Sequence, residues 1–212
     1  MRAIALVAEV LALLMLVACN QAGSPPVKLP PPANVTGPQV RAAQYGQPVT
    51  VEGASLAVGH KAPDARLRTP ANRDFDLSSL RGKVVLISVV PELGTTVCDR
   101  STQRFDQLSR DLDGDVAVVV VSTDDPFTQD RWLREHDLRR VKLLSDSVHH
   151  TFGPAYGLQI KETRRLGRAV LIIDRQGTIR YIETQRELAR DPSYDAAAAM
   201  MRQLEQEKAG AD

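Results

Sequence analysis

The run Val84-Val85-Leu86-Ile87-Ser88-Val89-Val90 is apolar at six of its seven positions. Successive side chains of a strand point to opposite faces, so a strand apolar at both parities has to be covered on both sides. Val116 to Val121 repeats the pattern. Between the two lies a helical stretch with Phe105, Leu108 and Leu112 on one face, stopped by Asp113-Gly114-Asp115. Two inner strands joined through a helix predict a parallel pair inside an α/β sheet.

The elements that follow extend this sheet. Asp125-Pro126 is a cap followed by a first-turn proline, and predicts a helix running to about Leu138. Val141 to Leu144 reads as a short strand, and Val148 to Phe152 as a brief helical turn. Arg168 to Asp174 and Thr178 to Thr184 flank Arg175-Gln176-Gly177, a three-residue hairpin loop ending in glycine. Ser193 to Lys208 reads as a terminal helix capped by Ser193. At the front, Val49 to Glu52 and Ala54 to Val58 alternate around Gly53, which predicts an N-terminal hairpin. Parallel neighbours plus an antiparallel hairpin give a mixed central sheet with helices on both faces. The order resembles a thioredoxin-like fold.

Residues 1–18 read as an export signal. Arg2 supplies a positive start, and residues 3–18 are apolar apart from Glu9. A bilayer-spanning helix needs about 20 apolar residues, so this stretch suits a signal better than a span. Leu16-Val17-Ala18-Cys19 resembles the lipobox of bacterial lipoproteins, in which the cysteine sulfur is lipidated and becomes the mature N-terminus. Residues 19–48 contain Pro25-Pro26, Pro30-Pro31-Pro32 and Gly37-Pro38, which predicts an extended tether. The expected organisation is a signal peptide at 1–18, a lipid-anchored tether at 19–48 and one domain at 49–208. That domain would sit at a membrane of the bacterial cell envelope, facing the periplasm or the exterior.

Formal net charge is +1, which gives no electrostatic footprint for nucleic acid. The histidines, His60, His136, His149 and His150, have no metal-ligand spacing, and there is no Cys-x-x-Cys. No metal or cofactor is expected, and paired-thiol exchange chemistry is disfavoured.

Chemistry concentrates at Cys98, which follows the strand 84–90 through Pro91-Glu92-Leu93-Gly94-Thr95-Thr96-Val97. Thr96 and Asp99 fit an N-cap and its N3 partner, placing Cys98 in the first turn of a helix. Unpaired N–H groups and the helix dipole favour an anion there, so the position favours a thiolate. Thr95 is spaced to put a hydroxyl beside the sulfur, where it can bond the thiolate or orient a hydroperoxide. Pro91 can close one side of the pocket. Arg168, a charge heading an apolar strand, is placed to stabilise negative charge at that sulfur. Lys161, Arg164 and Arg165 read as a solvated loop.

Pro-x-x-x-Thr-x-x-Cys after a buried strand resembles the active-site pattern of the peroxiredoxins, and within them the thiol peroxidase branch. The likeness covers most of residues 49–200, through Val97-Cys98 with Arg104-Phe105, Asp125-Pro126-Phe127 with Gln129-Asp130-Arg131, Ala155-Tyr156-Gly157 and Gly167-Arg168-Ala169-Val170. The resemblance implies attack of the Cys98 thiolate on a peroxide O–O bond, giving a sulfenic acid and water or an alcohol. It carries over Pro91, Thr95, Cys98 and Arg168 as the catalytic set, and it implies a homodimer. Two positions depart from the branch. Gly94 stands where an acidic residue is usual, with Glu92 nearby. Leu133 stands where the branch usually has a resolving cysteine. An external thiol reductant, a thioredoxin-like protein or a small thiol, is then required. The competing readings are a peroxide-sensing relay that passes oxidation to a partner protein, and a non-catalytic interaction module.

Overall fold

The computed structural model describes residues 40–112 and 115–209. The signal peptide, Cys19 and residues 20–39 of the tether lie outside the described residues. Among the described residues, no helix is long and apolar enough to cross a membrane.

A seven-stranded sheet organises the domain. Its elements are β3 (Arg66–Arg68), β4 (Asp74–Asp76), β5 (Val84–Val89), β6 (Val116–Ser122), β7 (Val141–Ser145), β9 (Ala169–Ile173) and β10 (Ile179–Thr184). They lie in the order β10-β9-β5-β6-β7-β3-β4. The centre is parallel, β5 with β6 and β6 with β7, while β9 runs antiparallel to both β5 and β10. The remaining elements are β1 (Val40–Gln44), β2 (Gln47–Glu52) and β8 (Gln159–Ile160), with helices α1 (Thr96–Leu108), α2 (Pro126–Glu135), α3 (Phe152–Tyr156) and α4 (Tyr194–Ala209). The mixed, thioredoxin-like sheet expected from the apolar runs is the one present.

All six residues of β5 are buried, and successive side chains point to opposite faces of the sheet. Val85, Ile87 and Val89 pack with Val119, Val121, Leu144, Phe152 and Tyr156 on one face. On the other, Val90 packs with Leu93, Cys98, Val120, Trp132 and Leu143. The candidate thiol therefore sits in the core that α1 and α2 cover.

The N-terminal hairpin differs from expectation. It pairs β1 with β2, from Val40↔Val51 to Gln44↔Gln47, around a turn at Tyr45-Gly46. Both turn residues have positive φ, 52° and 75°, as a two-residue turn matched to strand twist requires. The domain accordingly begins inside the stretch read as tether. Gly53 serves a different purpose. Its φ is +132°, and a Cβ there would lie 2.6 Å from the Pro154 carbonyl oxygen and 2.8 Å from Gly157 Cα. Two backbones cross at this point, which is why the residue has no side chain. The α1 and α2 helices also end earlier than expected, at Leu108 and Glu135. Asp113 and Gly114, the expected helix stop, lie outside the described residues.

Candidate active site

Strand β5 delivers the chain to Val90, whose N–H donates to the Val121 carbonyl at 3.0 Å, and to buried Pro91. Proline has no N–H to extend the ladder, so the chain leaves the sheet there. The loop that follows is held from below and ahead. Leu93 N–H donates to Asp124 Oδ2 at 2.8 Å, and Gly94 N–H to Asp99 Oδ1 at 2.8 Å. The same Asp99 oxygen accepts Trp132 Nε1–H at 2.9 Å, tying the loop, α1 and α2 to one carboxylate. Gly94 makes the turn with φ +81°, a conformation an acidic residue adopts only with strain.

Thr95, not Thr96, occupies the N-cap position, with extended φ and ψ of −106° and 146°. Its hydroxyl caps no helix N–H and donates instead to the Glu92 carbonyl at 3.2 Å. Thr95 lines the same narrow pocket as Cys98, so what its oxygen has left to offer there is lone pairs. Such an oxygen accepts from an incoming hydroperoxide O–H.

Cys98 is then the third residue of α1, among the N–H groups that have no intrahelical partner. It is a free cysteine, 2% exposed. Arg168, 3% exposed, precedes β9 directly. Its Nη2 donates to Cys98 Sγ at 3.1 Å and its Nε to the Leu188 carbonyl at 2.7 Å. Nη1 reaches Ser101 Oγ at 3.4 Å. A buried guanidinium needs acceptors, and the Cys98 sulfur, the Ser101 hydroxyl and the Leu188 carbonyl supply them here. The structure thus gathers Pro91, Thr95, Cys98 and Arg168 around one pocket, with Tyr45 of the hairpin turn at its wall.

Arg165 is not a purely solvated loop residue. It forms a two-pronged ion pair with Glu92, also a pocket residue. Leu133 packs against the apolar cluster that contains Cys98. Asp124 went unread in the sequence. Burial pushes its carboxyl up from the usual range, partly offset by the Leu93 N–H and Ser122. Of the histidines, His149 bonds Asp74 at 3.0 Å and His136 stacks on Trp132 at 3.8 Å between ring centroids. A cavity lined by Pro63, Leu80, Ile87 and Tyr156 lies on the opposite face of the sheet and contains no cysteine.

Comparison with known proteins agrees with this geometry. The model of the AhpC/TSA family matches residues 58–182. The thiol peroxidase of Bacillus subtilis is 40% identical over 150 residues, covering 71% of this chain and 89% of the relative. That of Halalkalibacterium halodurans is 41% identical over 152 residues, covering 72% and 91%. Among solved structures, a peroxiredoxin-like protein from Aquifex aeolicus superposes with TM-score 0.71 at 30% identity, covering 79% of this chain and 99% of that one. The thiol peroxidase from Chromobacterium violaceum shares the fold, with TM-score 0.69 at 19% identity over 79% and 98% of the two chains. With a buried thiol at a helix N-terminus, an arginine on its sulfur and relatives of this identity and coverage, the chain belongs to the AhpC/TSA family, on the thiol peroxidase branch of the peroxiredoxins.

Proposed function

We propose that Cys98 carries the reaction of this chain, a thiol-dependent peroxidase. The observation that supports the assignment is the 3.1 Å contact between buried Arg168 Nη2 and Cys98 Sγ. The thiolate attacks one peroxide oxygen, forming S–O as O–O breaks. The other oxygen departs with the electron pair and leaves as water or an alcohol once protonated. Arg168 stabilises the charge on that oxygen, and Thr95 holds the hydroperoxide by its O–H. A thiol then attacks the sulfenic sulfur, releasing water and leaving a mixed disulfide. A second thiol equivalent frees Cys98 and carries the disulfide away.

With Leu133 on the apolar cluster that contains Cys98 and no other cysteine after residue 98, both thiol equivalents come from outside the chain. A thioredoxin-like protein or a small thiol fits. Lipidation at Cys19 would hold the domain at a membrane of the cell envelope and consume the other sulfur. Dimerisation follows from the family likeness. An assembled site of this kind favours turnover over a sensing relay or a non-catalytic module. Cys98→Ser is expected to abolish peroxide consumption in a folded protein; retained consumption would overturn the assignment.

A further inference from the structure

Arg168 reaches Cys98 from within a longer chain of polar groups. Ser101, fully buried on α1, lies between Arg168 Nη1 at 3.4 Å and the Tyr194 hydroxyl at 3.0 Å. The Tyr194 hydroxyl, at the start of α4, lies 2.8 Å from Asp191 Oδ1. Asp191 in turn pairs with Arg100, whose Nη2 and Nε stand 2.6 and 3.2 Å from its two oxygens.

Only one arrangement of protons satisfies every member. An ionised carboxylate accepts and never donates, so the single Tyr194 proton goes to Asp191. The Tyr194 oxygen must then accept from Ser101, which spends its own proton there. What Ser101 has left is lone pairs, and they face Arg168, a group that only donates. The bonds from Arg168 through Ser101 and Tyr194 to Asp191 therefore run the same way, while Arg100 donates to Asp191 and to the Tyr194 hydroxyl from the far side. A chain that ends on an anion is polarised along its length, which makes Ser101 Oγ a better acceptor than an isolated hydroxyl.

We infer that Ser101, Tyr194 and Asp191 are positioning residues for the peroxidase reaction: they form a one-directional hydrogen-bond chain that anchors Nη1 of Arg168 and so holds Nη2 on the Cys98 sulfur. The Leu188 carbonyl fixes Nε from a second direction, and the two anchors together set the guanidinium plane. The charged groups around the thiol and the chain are Arg168 ahead of β9, Glu92 with Arg165 at the pocket, Asp99 and Arg100 on α1, and Asp191 ahead of α4. The inference rests on the reading of Cys98 as the peroxide-reacting thiol, and two readouts separate them.

Tyr194→Phe removes one hydroxyl and keeps the ring against Phe105, with which it packs edge-on at 5.3 Å between centroids. In the full chain, Cys98 alkylation by iodoacetamide and oxidation by hydrogen peroxide are followed across pH by mass spectrometry of the Cys98 peptide. Both profiles are expected to move to higher pH, with oxidation at neutral pH slowed about threefold to tenfold. In an Arg168→Ala background, Tyr194→Phe should have no further effect, because the chain acts through Arg168. Unmoved profiles in folded Tyr194→Phe, or an equal loss with and without Arg168, would overturn the inference. Asp191→Asn removes the anion at a partly exposed position and should move both profiles the same way; wild-type behaviour there would overturn the claim that the carboxylate's charge polarises the chain. An alkylation profile that moves in a protein whose Cys98→Ser variant still consumes peroxide would sustain the chain and sink the assignment of Cys98.

Discussion

At the scale of single residues, the site depends on a cation that would be costly where it lies unless each of its three nitrogens found an acceptor. Arg168→Ala removes the contact to Cys98 and should slow oxidation tenfold to a hundredfold, as expected for a charge-assisted contact of about 1.5–3 kcal/mol. An unchanged rate and pH profile would place Arg168 outside the chemistry. Arg168→Lys should restore little of the loss. A lysine ammonium is a point charge without the planar fork that reaches Leu188, Ser101 and Cys98 together. Cys98 and Arg168 were legible in the sequence because the first follows, and the second heads, an unmistakable buried strand. Ser101 and Tyr194 were not. They lie 93 residues apart, and nothing in either local pattern signals that their hydroxyls meet. Thr95 was found by its spacing from Cys98, but its proton goes to the Glu92 carbonyl, a choice only the folded loop determines.

At the scale of elements, the loop between β5 and α1 and the crossing beneath Gly53 use glycine for different reasons, and substitution should tell them apart. Gly94 has φ +81° and open space where a Cβ would go. Gly94→Ala should therefore cost only left-handed backbone strain, about 1–2 kcal/mol, read as a lower urea midpoint. Gly53→Ala adds a Cβ 2.6 Å from the Pro154 oxygen, a backbone atom that cannot swing aside. Its cost should exceed about 3 kcal/mol. Equal losses in the two variants would contradict this distinction. The same glycine explains the misplaced hairpin. Val49 and Val51 alternate correctly for a strand, and the nearest glycine downstream looked like its turn. The true turn lay upstream at Tyr45-Gly46, where a tyrosine with φ 52° gives no compositional warning. Strands β3 and β4 carry no pattern in the sequence. They are three residues each, held by Arg66 and Arg68 to Asp74 at 2.7 and 3.0 Å, and too short to show a period.

At the scale of the whole molecule, one buried carboxylate joins the helical layer to the sheet. Asp106 Oδ1 accepts the N–H groups of Arg139, Arg140 and Val141 at 2.8, 2.7 and 3.2 Å, and Oδ2 takes Arg110 at 2.9 Å. Burial opposes its charge, but the backbone donors and the Arg110 guanidinium outweigh that and hold the carboxyl below its ordinary value of 3.8. A folded value below the unfolded one means stability that is complete above the unfolded pKa and lost as pH falls through the folded one. The stability gap between wild type and Asp106→Asn should therefore narrow on acidification below about pH 4. A gap that stays constant with pH would show that the charge of Asp106 contributes nothing.

In the proposed reaction one thiol, Cys98, meets the peroxide, and its reductant comes from outside the chain. Mass spectrometry of the protein purified from its native cells, after one equivalent of hydrogen peroxide, decides the matter. One added oxygen is expected at Cys98, replaced by a mixed disulfide when a small thiol is supplied, with no disulfide inside the chain. An unoxidised Cys98 after the peroxide is consumed, or a Cys19–Cys98 disulfide, would contradict it.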